Sequence, residues 1–172
     1  MGSVTKLKPR AKHAPKSLAG LYDANRKRPQ TVRTPPWFLE AVCEALQESV
    51  IPLDPCATKN PAWHFALENW WTHGLDRPWE LKAFANPVFR YLDAWMTYAQ
   101  SEAMRTGLPT VLLGPWRSHR INFCRNIKGG EVVFLKAFPF VGRKNATPFP
   151  CFAVSFHCSL PRTRYELDRR KW

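Results

Sequence analysis

Ala85-Asn86-Pro87-Val88-Phe89, taken together with Leu53-Asp54-Pro55-Cys56-Ala57 upstream, is the stretch on which the reading of this chain turns. In both places a short apolar run stops at a polar residue followed by a proline. Val50 to Leu53 is long enough for a buried strand, and it leaves Asp54 at its carboxyl end. Phe84-Ala85 ends a second short strand, with Asn86 next in line. Outward from these two points the pattern alternates. Thr34-Pro35-Pro36 opens a helix, with Thr34 as a candidate cap and Pro35 in the first turn. Phe38, Val42, Ala45 and Leu46 then fall on one helical face. Tyr91, Leu92, Trp95, Ala99 and Ala103 give a second helical stripe. Thr110 to Leu113 is a third apolar strand, closed by Gly114-Pro115. Gly129-Gly130 is a turn. Glu131 to Leu135 and Cys151 to Phe156 are β-rich, with Phe152, Val154 and Phe156 at the strand spacing of two. Residues 58–82, rich in Trp and turn formers, receive no element. Alternating strands and helices predict an α/β sheet with helices on its faces. Ligands of such sheets bind beyond the carboxyl ends of strands, where Asp54 and Asn86 are expected.

The bulk of the chain restricts its partners. Its 172 residues fit one domain with a tail, and 45% hydrophobic content with 8 Trp supports a full core. A formal net charge of +13 favours a polyanionic partner, nucleic acid before an anionic membrane surface. No apolar run approaches the roughly 18–20 residues that span a bilayer. The 5 cysteines are scattered and form no CxxC. They point to a reducing intracellular compartment and argue against both a disulfide scaffold and a structural zinc site, so no metal is expected.

Three segments are expected. Residues 1–30 are basic and poor in apolar residues, so they read as an extended arm. That arm could be a solubility tail, an electrostatic contact to phosphates, or a mitochondrial targeting segment. Residues 31–158 form the folded domain. Residues 159–172, with Arg162, Arg164, Arg169, Arg170 and Lys171 against Glu166 and Asp168, read as a basic surface or docking tail. Arg117, His119, Arg120 and Arg125 cluster after the third strand, either as a solvated helix face or as phosphate contacts.

Asn86-Pro87 suggests a specific chemistry. The lone pair of an exocyclic amine on adenine or cytosine is delocalised into the ring and attacks poorly. Two acceptors on the NH2 group, here the Asn86 side-chain carbonyl and the Pro87 backbone carbonyl, would pyramidalise the nitrogen. Phe89 would stack on the extruded base. Positioning and electrostatics then carry most of the rate.

These motifs, in this order, resemble the small phage-type DNA N6-adenine methyltransferases. Thr34-Pro35-Pro36 with Phe38-Leu39 resembles the family's opening segment. Leu53-Asp54-Pro55-Cys56-Ala57 followed by Asn60 resembles its cofactor loop. Gly74-Leu75 with Trp79 resembles its GLxxxW segment, and Ala85 to Phe89 its catalytic NPPY. Leu112-Leu113-Gly114-Pro115 with Arg117 and Phe123, and Gly142-Arg143 with Thr147 to Cys151, resemble its later segments. The resemblance implies a Rossmann-like methyltransferase sheet and S-adenosylmethionine as cofactor. It places Asp54, Cys56, Ala57 and Asn60 at that cofactor and Asn86, Pro87 and Phe89 at the target amine. Arg117, His119, Arg120 and Arg143 are the expected nucleic-acid contacts, in a cytoplasmic phage or bacterial-host protein.

Val88 stands where the family has its second catalytic proline, His73 where it has an acid, and Gly114 before Pro115 where its pattern is tighter. These departures supply a second expectation: a catalytically silent relative that binds nucleic acid, RNA above all, within a larger ribonucleoprotein, with a mitochondrial location as the alternative. No GxGxxG, P-loop, HExxH or GxSxG motif suggests another chemistry.

Overall fold

A computed structural model of the chain describes residues 33–116 and 125–166. Helix α1 (Pro36–Leu46) precedes strand β1 (Ile51–Asp54). A 3₁₀ turn (Pro61–Trp63), β2 (Ala66–Asn69) and β3 (Ala83–Ala85) follow. A second 3₁₀ turn (Phe89–Tyr91) leads into α2 (Leu92–Thr106), then β4 (Thr110–Pro115), β5 (Glu131–Leu135) and β6 (Cys151–Phe156). The expectation of an α/β chain holds: the six strands form one mixed sheet in the order β2-β1-β3-β4-β6-β5. β2, β1, β3 and β4 are parallel. The last strand inserts antiparallel between β4 and β5. From β1 the chain moves to one side to form β2, then crosses to form β3 on the other side of β1. The strand order therefore reverses between β1 and β3.

Side-chain alternation divides the core into two layers. Phe84 of β3, Val111 and Leu113 of β4, and Ala153 of β6 share one layer with Phe38, Val42, Ala45 and Leu46 of α1. Ala83, Ala85, Leu112, Phe152, Val154 and Phe156 share the other with Leu92, Trp95, Met96, Ala99 and Ala103 of α2. Each large side chain buried this way contributes roughly 1.5–3 kcal/mol. Helix α2 ends at Gly107, whose φ of 70° suits glycine and whose N–H reaches the Ala103 carbonyl at 2.8 Å.

A buried polar network fastens α2 to the preceding loop. Glu102 accepts the Trp79 backbone N–H at 2.8 Å and an Arg105 N–H at 2.7 Å, while Trp79 Nε1 donates to the Gly74 carbonyl at 2.8 Å. Burial alone would raise the Glu102 pKa, but the Arg105 and Trp79 donors outweigh it and hold the carboxyl below its ordinary range. The Gly74-Leu75…Trp79 pattern thus has a packing role, with Leu75 and Trp79 both buried.

Four readings are refined. Thr34 does not cap α1: the cap position is Pro35, with no side-chain hydrogen bond, and the Thr34 hydroxyl is used elsewhere. Gly114-Pro115 does not close β4 but continues it, pairing with Phe152 and Cys151. A Cβ on Gly114 would come within 2.7 Å of Leu92, so glycine is what lets α2 approach the sheet. The unassigned stretch 58–82 contains β2, an edge strand whose Leu67 is 73% exposed. In the segment read as a tail, Leu160 is buried and Tyr165 packs against Trp37 at 4.6 Å between ring centres. Among the described residues no helix is long and apolar enough to cross a membrane.

Candidate functional site

The reversal of strand order between β1 and β3 opens a crevice at their carboxyl ends, and the two polar residues singled out from the sequence stand there. Asp54 ends β1, and Asn86 directly follows β3. Both are 4% exposed and both line one cleft with Arg33, Thr34, Thr58, Trp63 and Phe65. Parallel pairing of β1 with β3, Leu53 opposite Ala83, brings them together. The cleft is narrow, at about 20 Å³, which is room for a single water.

Two of its polar side chains are held by hydrogen bonds. Asn86 Nδ2 donates to Thr34 Oγ1 at 2.9 Å. Asp54 Oδ1 accepts the Cys56 backbone N–H at 3.0 Å and its thiol at 3.4 Å. The Asn86 backbone N–H lies near enough to the Cys56 thiol to oppose the rise in its pKa. Burial pushes the Asp54 carboxyl up to about 7, against the opposing pull of the two Cys56 donors and nearby His64. Burial likewise raises the Cys56 thiol, helped by the adjacent carboxylate. Cys56 is therefore a thiol that donates, not a nucleophilic thiolate.

The other expected residues divide. Ala57 is buried in the turn after β1, and Pro87 beside Asn86 is buried too. Phe89 is half-buried and packs edge-on against Phe140 and Phe149, at 6.4 and 5.9 Å between ring centres. Asn60 is exposed and outside the cleft lining; its Oδ1 caps the first 3₁₀ turn through the Ala62 N–H at 3.1 Å. Arg143 is exposed on the loop after Val141. Arg117, His119 and Arg120 lie outside the described residues.

Sequence reading missed four contributors. Arg33 lines the cleft and is paired backbone to backbone with Val141, at 3.4 and 3.0 Å, which joins the Gly142-Arg143 loop to the cleft rim. Its guanidinium lies 5.8 Å from the Trp63 ring centre. Phe65 packs on Phe84 and closes the cleft floor side. His64 Nε2 donates to the Thr58 carbonyl at 2.8 Å. None of these carried a sequence signal, because the turn that delivers Trp63 to Phe65 has no apolar period.

A larger concavity lies one strand further out. Past the carboxyl end of β2 a groove of about 580 Å³ is lined by residues 69–73 and 76–78. It adjoins the cleft through the backbone, since Asn69 pairs with Asp54 and the Trp70 N–H reaches the Asp54 carbonyl at 2.8 Å.

No protein-family model matches the chain, and no curated protein matches it in sequence.

Proposed function

We propose that the chain is an S-adenosylmethionine-dependent amino-methyltransferase of Rossmann-like type that acts on adenine N6 in DNA. The observation that carries this reading is the convergence of Asp54 and Asn86, from adjacent parallel strands, on one cleft where the strand order reverses. The donor set suits the cofactor's chemistry: Asp54 offers a buried carboxyl to a cationic ligand, and the Thr34 contact fixes the Asn86 amide plane. At about 20 Å³ the cleft admits such a ligand only if the Trp63–Phe65 turn moves outward.

The cofactor supplies an electrophilic methyl group. The chain's own residues supply position. Asn86 and the Pro87 carbonyl accept the two amine hydrogens, and Phe89 offers an aromatic face or edge to the base. Pro87 limits the loop's freedom, so the acceptors need little reordering.

The small cleft favours a second reading, a methyltransferase-like protein without activity that binds nucleic acid, RNA above all, inside a larger assembly. Val88 at the second position after Asn86 points the same way. Calorimetric titration with S-adenosylmethionine and its demethylated product separates the two. Micromolar binding is expected; a folded sample that takes up neither ligand would overturn the enzymatic reading and leave the second.

A further inference from the structure

We propose that residues 58–65 form a hinged lid over Asp54, and that opening of the lid is coupled to loss of the Asp54 proton. The segment is built as a separate piece. Ala57 before it is buried, yet no residue from 58 to 65 is. Among the described residues, the hydrogen bonds of residues 58–64 close on themselves. The Ala62 N–H donates to Asn60 Oδ1 at 3.1 Å, and the Trp63 N–H to the Asn60 carbonyl at 3.1 Å. The His64 N–H donates to the Pro61 carbonyl at 3.0 Å, and His64 Nε2 to the Thr58 carbonyl at 2.8 Å. Ring contacts tie the piece to its surroundings. Phe65 lies 5.7 Å from Phe84, and the Trp63 ring centre 5.8 Å from the Arg33 guanidinium. A segment with self-contained bonds and little buried surface opens at low cost.

What the segment covers completes the device. Thr58, Trp63 and Phe65 line the cleft from the lid side, Arg33, Thr34 and Asn86 from the other, and Asp54 lies among them, 4% exposed. With the lid shut, water is kept from the carboxyl, and desolvation favours its neutral form. With the lid open, water reaches Asp54, the proton passes to solvent, and the carboxylate resists being buried again. Three groups face it: His64 on the lid, Arg33 on the rim, and the Cys56 thiol in the loop after β1. Positive charge on His64 or Arg33 attracts the carboxylate and tempers the coupling. The Cys56 donors stay on Asp54 in either state, because they do not belong to the lid. Opening thus exposes the cleft and creates a negative charge within it in one step, so the open state selects a cationic ligand. The inference concerns entry to the cleft and needs no methyl transfer, so it stands or falls apart from the proposed function.

The test is labelling of a thiol placed under the lid by Thr34→Cys in the full chain, with N-ethylmaleimide as the probe. Peptide mass spectrometry resolves the site, and each rate is divided by that of the same thiol in denatured protein at the same pH. The normalised rate should rise about tenfold per pH unit up to about pH 7 and be level above it. Adding Asp54→Asn should remove the slope, and adding His64→Gln should keep it. Adding Phe65→Ala, which loosens only the lid, should raise the rate about tenfold at every pH. A slope that survives Asp54→Asn or vanishes with His64→Gln would overturn the coupling. A rate that Phe65→Ala leaves unchanged would overturn the lid, by showing that the thiol is reached another way. A second measurement needs no introduced thiol: the Asp54 carboxyl titration followed by ¹³C NMR should move toward the ordinary carboxylate range in folded Phe65→Ala, and an unmoved titration would overturn the proposal.

Discussion

The cleft at Asp54 and Asn86 and the groove at residues 69–78 are neighbours on one sheet edge, yet they are built in opposite ways. The cleft holds the motif residues, is nearly filled, and has Asn86 bonded to Thr34 and Asp54 to Cys56. The groove carries none of the catalytic or cofactor-loop motif residues, is wide, and has the half-exposed Trp71 on its wall. The difference comes from the strands beneath. β1 and β3 are interior strands covered on both faces, so whatever follows them is drawn into the core. β2 is an edge strand of four residues, so among the described residues the chain that leaves it has a strand on one side only. Chemistry needs the first environment, and recognition of a large flexible ligand needs the second.

The largest effect that sharpens this contrast is on the cleft side. Asn86→Ala should reduce methyl transfer to adenine-containing DNA by about two to three orders of magnitude, as loss of a positioned polar group does, while circular dichroism shows the fold retained. Unchanged turnover would remove Asn86 from the amine site.

Next comes the pH dependence set by Asp54. Its folded pKa of about 7 lies above the ordinary carboxyl value, so the native state holds a proton that the unfolded chain releases. Its contribution is therefore constant at acid pH, is lost as pH rises from about 4 to about 7, and is flat above that. Over that window it amounts to an order of 4 kcal/mol, read as the difference between wild type and Asp54→Asn in denaturant titrations at several pH values. A cationic ligand favours the ionised carboxyl, so S-adenosylmethionine affinity should rise with pH across the same range. A difference curve with no slope would show that Asp54 is not desolvated.

A smaller change tests what closes the cleft. Phe65→Ala removes half-buried contacts to Phe84 and should cost about 2 kcal/mol of stability, yet it should tighten S-adenosylmethionine binding by widening the opening. Weaker binding in a folded variant would mean that Phe65 is itself a contact. The smallest effect belongs to the groove. Trp71→Ala, at an exposed site, should change stability by less than about 0.5 kcal/mol; a clear drop in thermal midpoint would show that Trp71 supports the fold.

Much of the architecture was legible in the chain because the core obeys simple periods. The stripe Phe38, Val42, Ala45 and Leu46 is the buried face of α1, and Leu92, Trp95, Ala99 and Ala103 that of α2. Glu131–Leu135 and Cys151–Phe156 are strands with the expected bounds. β2 was not legible: Ala66-Leu67-Glu68-Asn69 has no β-branched residue and no apolar alternation, because an edge strand buries little. Nor was the use of Thr34, whose position before two prolines looks like a cap until the fold brings Asn86 to its hydroxyl.

Sequence by itself determined which residues are apolar at which period, and so the helices, the interior strands, and the placing of Asp54 and Asn86 at strand ends. It also determined the net charge of +13. Tertiary structure decided the order of the strands, the insertion of β6 between β4 and β5, and the meeting of Asp54, Asn86, Thr34 and Phe65 in one cleft. It alone set Asp54's proton affinity, because desolvation depends on what lies around a carboxyl in space, and no local spacing encodes that.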